Sequence, residues 1–359
     1  MDFDLDDDQR ALQAAAAQLL ERHSPMATVR AVVETGGGWD RDLWAAMVEQ
    51  GWAGIALAEE DGGLGLGWVE AALLIEAVGA HVAPAPVLGQ VLALAALTDA
   101  GVASDRVASL LAGDEVAVAA ATHVELTPAA DGWRASGRTE PVPFAPSAAL
   151  VVVPGRTTDG DEHLVAVPWA RGRSTAEAAM DRTREVGWVR LDGAGAIDLG
   201  GADAVQRHLD RGAVLYAAEL LGAAQRVLDL SVAYAKDRVQ FGRPIGSFQA
   251  VKHRCADMLV DVEGMRSAVW WAAWCLAAED PDRSVAASTA KAWCSDAGRR
   301  VMASGLQVHG GIGFTWEHDL HLFLKRAHLD QVSFGDGSAH RARLATLLRA
   351  RVEAGTPVV

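Results

Sequence analysis

Apolar and polar positions along this chain follow two rhythms, and the change from one to the other marks its parts. Across residues 4–112 the apolar positions recur at helical spacing. "LDDDQRALQAAAAQLLERH" predicts a helix whose acidic start and His-containing end both complement the helix dipole. "DRDLWAAMVEQGW" predicts a second, short helix stopped by Gly51. "EEDGGLGLG" (59–67) reads as a glycine-rich loop, and the apolar run after it as two helices punctuated by Pro84 and Pro86. That loop lacks both a preceding strand and a following Lys-Ser/Thr, so it is not a phosphate cradle.

Near residue 114 the rhythm shortens. "DEVAVAAATHVEL", "GWRASGRTEPVPF", "SAALVVVPG", "EHLVAVPW" and "VGWVRLDGAG" are Val-rich and broken by Gly, Pro and Asp, which predicts strands and turns up to about residue 203. Helical spacing returns at 204. "AVLYAAELLGAAQRVLDLSVAYAKDR" is apolar on most sides, as in a helix buried inside a bundle. Val251, Cys255, Met258, Val262, Met265 and Val269 then step by 4, 3, 4, 3 and 4, a single helical stripe. Further helices are expected over 283–304 and roughly 339–353. The expected class is α+β, with an N-terminal helical domain (1–113), a small middle β-barrel or sandwich (114–203) and a C-terminal four-helix bundle (204–359).

Composition narrows the function. The 359 residues are 50% hydrophobic, enough for two or three packed parts, and the net charge of −15 argues against a nucleic-acid partner. The acidic start "MDFDLDDDQR" has the wrong sign for a targeting segment, and charges interrupt every apolar run before it reaches membrane-spanning length. Cys255, Cys275 and Cys294 form no C-x-x-C pair and read as thiols on helices in a reducing compartment, so a cytoplasmic location is expected.

Chemistry concentrates in two segments. In "YAKDRVQFGRPIGSFQAVKHRCADM" (234–258), Arg238 is a bidentate cation suited to a pyrophosphate. Gln249 follows near the start of the striped helix. In "LQVHGGIGF" (306–314), the glycines at 310, 311 and 313 allow a backbone to approach a ligand closely. Together with the three-part layout, these segments resemble the acyl-CoA dehydrogenase family over essentially the whole chain. The resemblance implies FAD bound across a subunit interface and an acyl-CoA thioester oxidised to its 2-enoyl form. It further implies electron transfer to an electron-transfer flavoprotein. The two signatures belong to the part that grips the ADP end of a neighbour's FAD. On that basis Arg238, Gln240, Phe241, Gln249, Gln307, Val308, His309, Gly310 and Gly311 are expected to contact cofactor.

What the family needs next is missing. Its base is a Glu in a Y-E-G-T type turn, and counting forward from Gly310 puts Phe334 at that position, with Gly335 after it and Arg341 at the closing arginine. Some members carry the base on the first long bundle helix, where counting back from Gly222 gives Gly212. Asp336 and Asp210 each lie two residues from these positions, and Asp336 between glycines also suits a turn. The family's T-E-P-x-x-G-S-D stretch, which contacts the flavin ring and acyl-CoA, is collapsed in "AAATHVELTPAADGWRASG". The "TEP" at 139–141 falls on the later strand instead. In actinobacterial-type systems the family includes heterotetramers that pair a working subunit with a degenerate one, often on bulky CoA thioesters such as steroid side-chain intermediates. The expectation is therefore a subunit that completes a catalytic partner's FAD site and lacks its own base. The alternatives are a homomeric enzyme using a displaced carboxylate such as Asp336, and a scaffold without activity.

Among eleven histidines, His318, His321 and His328 fall near one face of a predicted segment, but further ligands at metal spacing are lacking and no metal is expected. "WWAAW" (270–274) places three of twelve tryptophans on one helix, which suggests packing at a subunit interface.

Overall fold

A computed structural model describes residues 4–102, 105–130 and 132–355. The chain divides into two compact units, both discontinuous in sequence. One comprises Met1–Ala17, Ala72–Ala83 and Ala213–Val359, the other Gln18–Ala71 and Pro84–Gly212. Helices before the strands are α1 (Asp7–His23), α2 (Met26–Glu34), α3 (Arg41–Glu49), α4 (Trp68–Ala80), α5 (Val87–Asp99) and α6 (Asp105–Leu111). The strands are β1 (Ala117–Ala119), β2 (Val124–Ala129), β3 (Gly132–Pro143), β4 (Leu150–Thr157), β5 (Glu162–Pro168) and β6 (Val186–Asp198). Then come α7 (Ala202–Asp237), a hairpin of β7 (Val239–Gln240) and β8 (Arg243–Pro244), and α8 (Gln249–Ala277), α9 (Arg283–His309), α10 (Leu320–Val332) and α11 (Gly337–Glu353).

In the second unit the six strands close into a barrel. β1 and β2 pair in parallel with successive stretches of β4, and antiparallel pairs β2–β3, β3–β6, β6–β5 and β5–β4 complete the ring. Inward positions alternate along the strands, so Val118, Leu126, Val151, Val153, Val165, Val167, Val189 and Leu191 fill one apolar core. Helix α5 is buried almost throughout, and its Gln90 is the polar exception. The Gln90 amide donates to the Leu110 and Glu115 carbonyls and accepts from the Ala117 amide at 2.7 Å, which anchors the start of β1.

The first unit is helical. The stripe seen in the sequence is the inner face of α8, with Met258, Val262, Met265 and Val269 buried. Helices α4 and α7 cross with their backbones in contact. A Cβ on Gly222 would stand 1.8 Å from the Glu76 carbonyl oxygen, and one on Gly79 would stand 2.0 Å from that of Glu219. Beside this crossing, Arg326 donates to Glu219 at 2.8 Å with both side chains wholly buried, and also reaches the Val82 carbonyl.

The elements differ from expectation at several points. Helix α2 lies in the stretch read as helical but given no bounds of its own, α9 runs on to His309, and α11 begins at Gly337. Among the described residues no helix is long and apolar enough to cross a membrane.

Candidate functional site

The turn between α10 and α11 holds the position matched to the family's base. Phe334 has φ +56°, a region bulky residues avoid, and its ring is buried 5.5 Å from that of Tyr216. Such strain costs roughly 1–3 kcal/mol and persists only where the surroundings dictate it. Here they do. The Phe334 carbonyl accepts from His340 Nε2 at 2.8 Å, and the Gly335 carbonyl from Lys291 Nζ at 2.8 Å. Lys291 also donates to the Gln331 carbonyl and the Ser295 hydroxyl. It is fully buried, and desolvation brings its pKa down to about 8 against the pull of Asp330.

The buried ring that holds this turn resists protonation. Burial lowers His340 to about 4, outweighing the carbonyl bond that favours its charged form. In the other unit, His208 donates from Nε2 to the Ala120 carbonyl and is likewise lowered to about 4 by burial. Between the ordinary histidine value of 6.5 and 4 the unfolded chain binds these protons first. Stability is therefore complete above pH 6.5 and falls as pH drops toward 4. Denaturant midpoints measured across this range should decline. His340→Gln, which keeps a donor but does not titrate, should make the decline shallower.

The displaced carboxylates have structural partners. Asp336 is the N-cap of α11 and accepts from the Ala339 amide at 2.8 Å. Asp210 lies buried in α7, where Gln206 one turn earlier donates to it at 3.2 Å. Gly212 sits in the same helix. Asp210 and Gly212 belong to the second unit, Phe334 and Asp336 to the first.

The segments expected to grip cofactor both lie in the first unit. The β7–β8 hairpin turns through Phe241 and Gly242, with φ +53° and +77°. Asn or Asp usually leads such a turn, yet here a phenylalanine stands at its tip, 92% exposed. Arg238, Gln240, Gln249 and Gln307 are exposed as well. Gly310 has φ +62°, and a Cβ on Gly310 or Gly311 would meet nothing within 4 Å, so the backbone there is open to a ligand. Val308 differs, since its side chain is buried and only its backbone is placed to contribute. His309 donates from Nδ1 to the Gly305 carbonyl, which leaves Nε2 as a buried acceptor with no donor among the described residues.

Tyr234, which sequence reasoning passed over, ties the two segments together. Its carbonyl accepts from the Arg238 amide and its ring stacks on His309 at 4.6 Å. Exposed backbone, an exposed cation and, among the described residues, an acceptor with no donor fit the nucleotide end of FAD.

The flavin-ring end does not fit in the same way. In the link from β1 to β2, where the family's ring-contacting stretch is collapsed, Glu140 of β3 takes the donors. Its carboxylate accepts from the Ala121 amide at 2.7 Å, from the Thr122 amide at 3.0 Å and from the Thr122 hydroxyl. The chain itself fills that cradle.

Two of the three histidines considered for metal pack against rings. His318 packs edge-on to His309, and His321 edge-on to Trp316. Among the described residues no group of three His, Cys, Asp or Glu side chains is placed to hold a metal ion.

Comparison with known proteins agrees with this architecture. The acyl-CoA dehydrogenase N-terminal domain family matches residues 6–107, and the C-terminal domain family matches residues 200–348. Acyl-CoA dehydrogenase IpdE2 of Mycobacterium tuberculosis is 35% identical over 333 residues, covering 90% of this chain and 91% of that protein. Among solved structures, the ChsE4–ChsE5 complex from Mycobacterium tuberculosis superposes with a TM-score of 0.90 at 29% identity, covering 99% of this chain and all of the matched one. The Tcur3481–Tcur3483 steroid ACAD superposes at 0.89 with 31% identity, over 97% and 99% of the two chains.

Proposed function

Because the chain belongs to the acyl-CoA dehydrogenase family, FAD-dependent oxidoreductases acting on CH–CH bonds, we propose that it is the completing subunit of a heteromeric member of that family. It lends its nucleotide grip to the FAD of a catalytic partner subunit and has no base of its own. The observation that carries this reading is a contrast within one unit. The grip stands exposed, with Phe241 strained and pointing outward, while the base position is a buried phenyl ring.

Arg238 is the cation for the pyrophosphate, and Gln240, Phe241, Gln249, Gln307 and the backbone of His309–Gly311 border the rest of the nucleotide. When bound, FAD supplies the hydride acceptor for the β-carbon of an acyl-CoA thioester. The base that removes the α-proton comes from the partner. The Glu140 clamp supports the same reading, because it occupies donors that a ring pocket in this chain would need. Exposed Trp274 and Trp293 are suited to packing against another subunit. Similarity to a structure described as a steroid ACAD favours a bulky, steroid-like thioester. A cytoplasmic setting, with an electron-transfer flavoprotein as acceptor, completes the proposal.

The test compares flavin absorbance and acyl-CoA oxidation for the lone chain and for the chain co-expressed with a candidate catalytic subunit. Flavin and turnover confined to the complex are expected, and full activity of the lone chain would overturn the proposal. Asp336→Ala separates the homomeric alternative. It should cost about 1 kcal/mol of stability through the lost cap and leave turnover per folded complex unchanged. Abolished turnover in a folded Asp336→Ala protein would instead identify a catalytic carboxylate.

A further inference from the structure

The outward side of β3 and β6 carries an arrangement the proposed function does not use. Arg138 and Arg190 are directly opposed in the antiparallel pair, so their side chains rise from the same face. Both are exposed. Like charges at directly opposed positions destabilise a sheet. In a chain with 47 acidic against 32 basic residues, the pair is not forced by composition. No carboxylate neutralises it, since among the described residues neither arginine forms an ion pair, with Glu125 on β2 and Asp192 on β6 included.

Arg138 is also held in place. Its guanidinium lies 4.2 Å from the ring centroid of half-buried Trp188, two residues before Arg190 on β6. Stacking fixes the guanidinium plane and leaves its N–H edge free. Two adjacent guanidiniums, one stacked on an indole and neither paired, match the charge and bidentate geometry of a phosphate.

We propose that Arg138, Arg190 and Trp188 form a binding site for a phosphate monoester, with the 3′-phosphate of the coenzyme A nucleotide as the ligand that the acyl-CoA reading supplies. The assignment to coenzyme A rests on that reading, while the phosphate chemistry stands on the arginine pair alone.

Titration calorimetry on the full chain tests the proposal, with coenzyme A, 3′-dephospho-coenzyme A and inorganic phosphate as probes. Coenzyme A should bind to the unmodified chain. Arg138→Gln together with Arg190→Gln should weaken it by about tenfold or more, and dephospho-coenzyme A should bind weakly and ignore the substitutions. Because both arginines are exposed, the melting temperature should not fall. Equal coenzyme A affinity in the two proteins overturns the site. Inorganic phosphate binding as tightly as coenzyme A overturns the nucleotide assignment. Failure of the function proposal would show differently, as flavin missing from the co-expressed complex while the coenzyme A titration still responds to the arginines.

Discussion

Gly222→Ala collapses the helical unit, and Gly311→Ala leaves it intact. At 222 the added methyl meets the Glu76 carbonyl oxygen at 1.8 Å, with the carbonyl carbon at 2.7 Å and the Ala80 nitrogen at 2.9 Å. These are backbone atoms of α4, and no side chain can swing aside to make room. The helices must separate, which disrupts the apolar packing of α7 on both sides of the crossing. Overpacking a core ordinarily costs 1–3 kcal/mol, and with a rigid partner the expected loss is about 3 kcal/mol or more. At 311 the same methyl meets nothing within 4 Å. Chemical denaturation of the two variants should give a large drop in midpoint for the first and little change for the second. Comparable midpoints would mean that the crossing is loose.

Arg326→Met destabilises the same unit by a different route. The substitution removes the cation and leaves Glu219, 0% exposed, as a buried carboxylate without its guanidinium. Breaking one side of a buried pair costs about 3–5 kcal/mol, because the remaining charge keeps its desolvation penalty. Removing both charges should recover much of the loss. Arg326→Met with Glu219→Met should therefore be more stable than Arg326→Met alone. A double variant no better than the single one would show that the ion pair matters less than the Arg326 bond to the Val82 carbonyl. Thermal melts of the three variants decide the question.

Much of this fold could be read from the sequence, because periodicity is a local property. The α8 stripe fell on the buried face, and the Val-rich stretches became the barrel strands. Barrel closure was not legible, since it depends on β1 and β2 sharing one edge of β4, a pairing between residues some distance apart in the chain. Helix α2 fell in the stretch read as helical but had no bounds of its own, because "MATVRAVVE" is short, starts behind a proline and has no side-chain cap.

The candidate site divides along the same line. Motif spacing marked Arg238, Gln249 and the 310–313 glycines, whose roles rest on exposure and backbone freedom. It did not reveal Lys291, whose three acceptors come from α9, the last turn of α10 and the turn before α11. A lysine set among the alanines of α9 was the one available signal. Phe334 showed only as an absent carboxylate, because its positive φ and its packing on Tyr216 exist only in three dimensions. Glu140 was set aside with a misplaced "TEP", yet its carboxylate clamps the stretch that the family motif would have occupied.

The discontinuity of the helical unit has a consequence for biosynthesis. Its segment 72–83 emerges from the ribosome well before residue 213, where the stretch it packs against begins. At about 5–20 residues per second the segment waits on the order of 10 s. During that wait Leu73, Leu74, Ile75 and Val78, all nearly fully buried in the finished protein, have none of those partners. The second unit is complete once residue 212 has been made. Nascent chains stalled once residue 212 has cleared the ribosome should carry a formed barrel and an adhesive apolar helix.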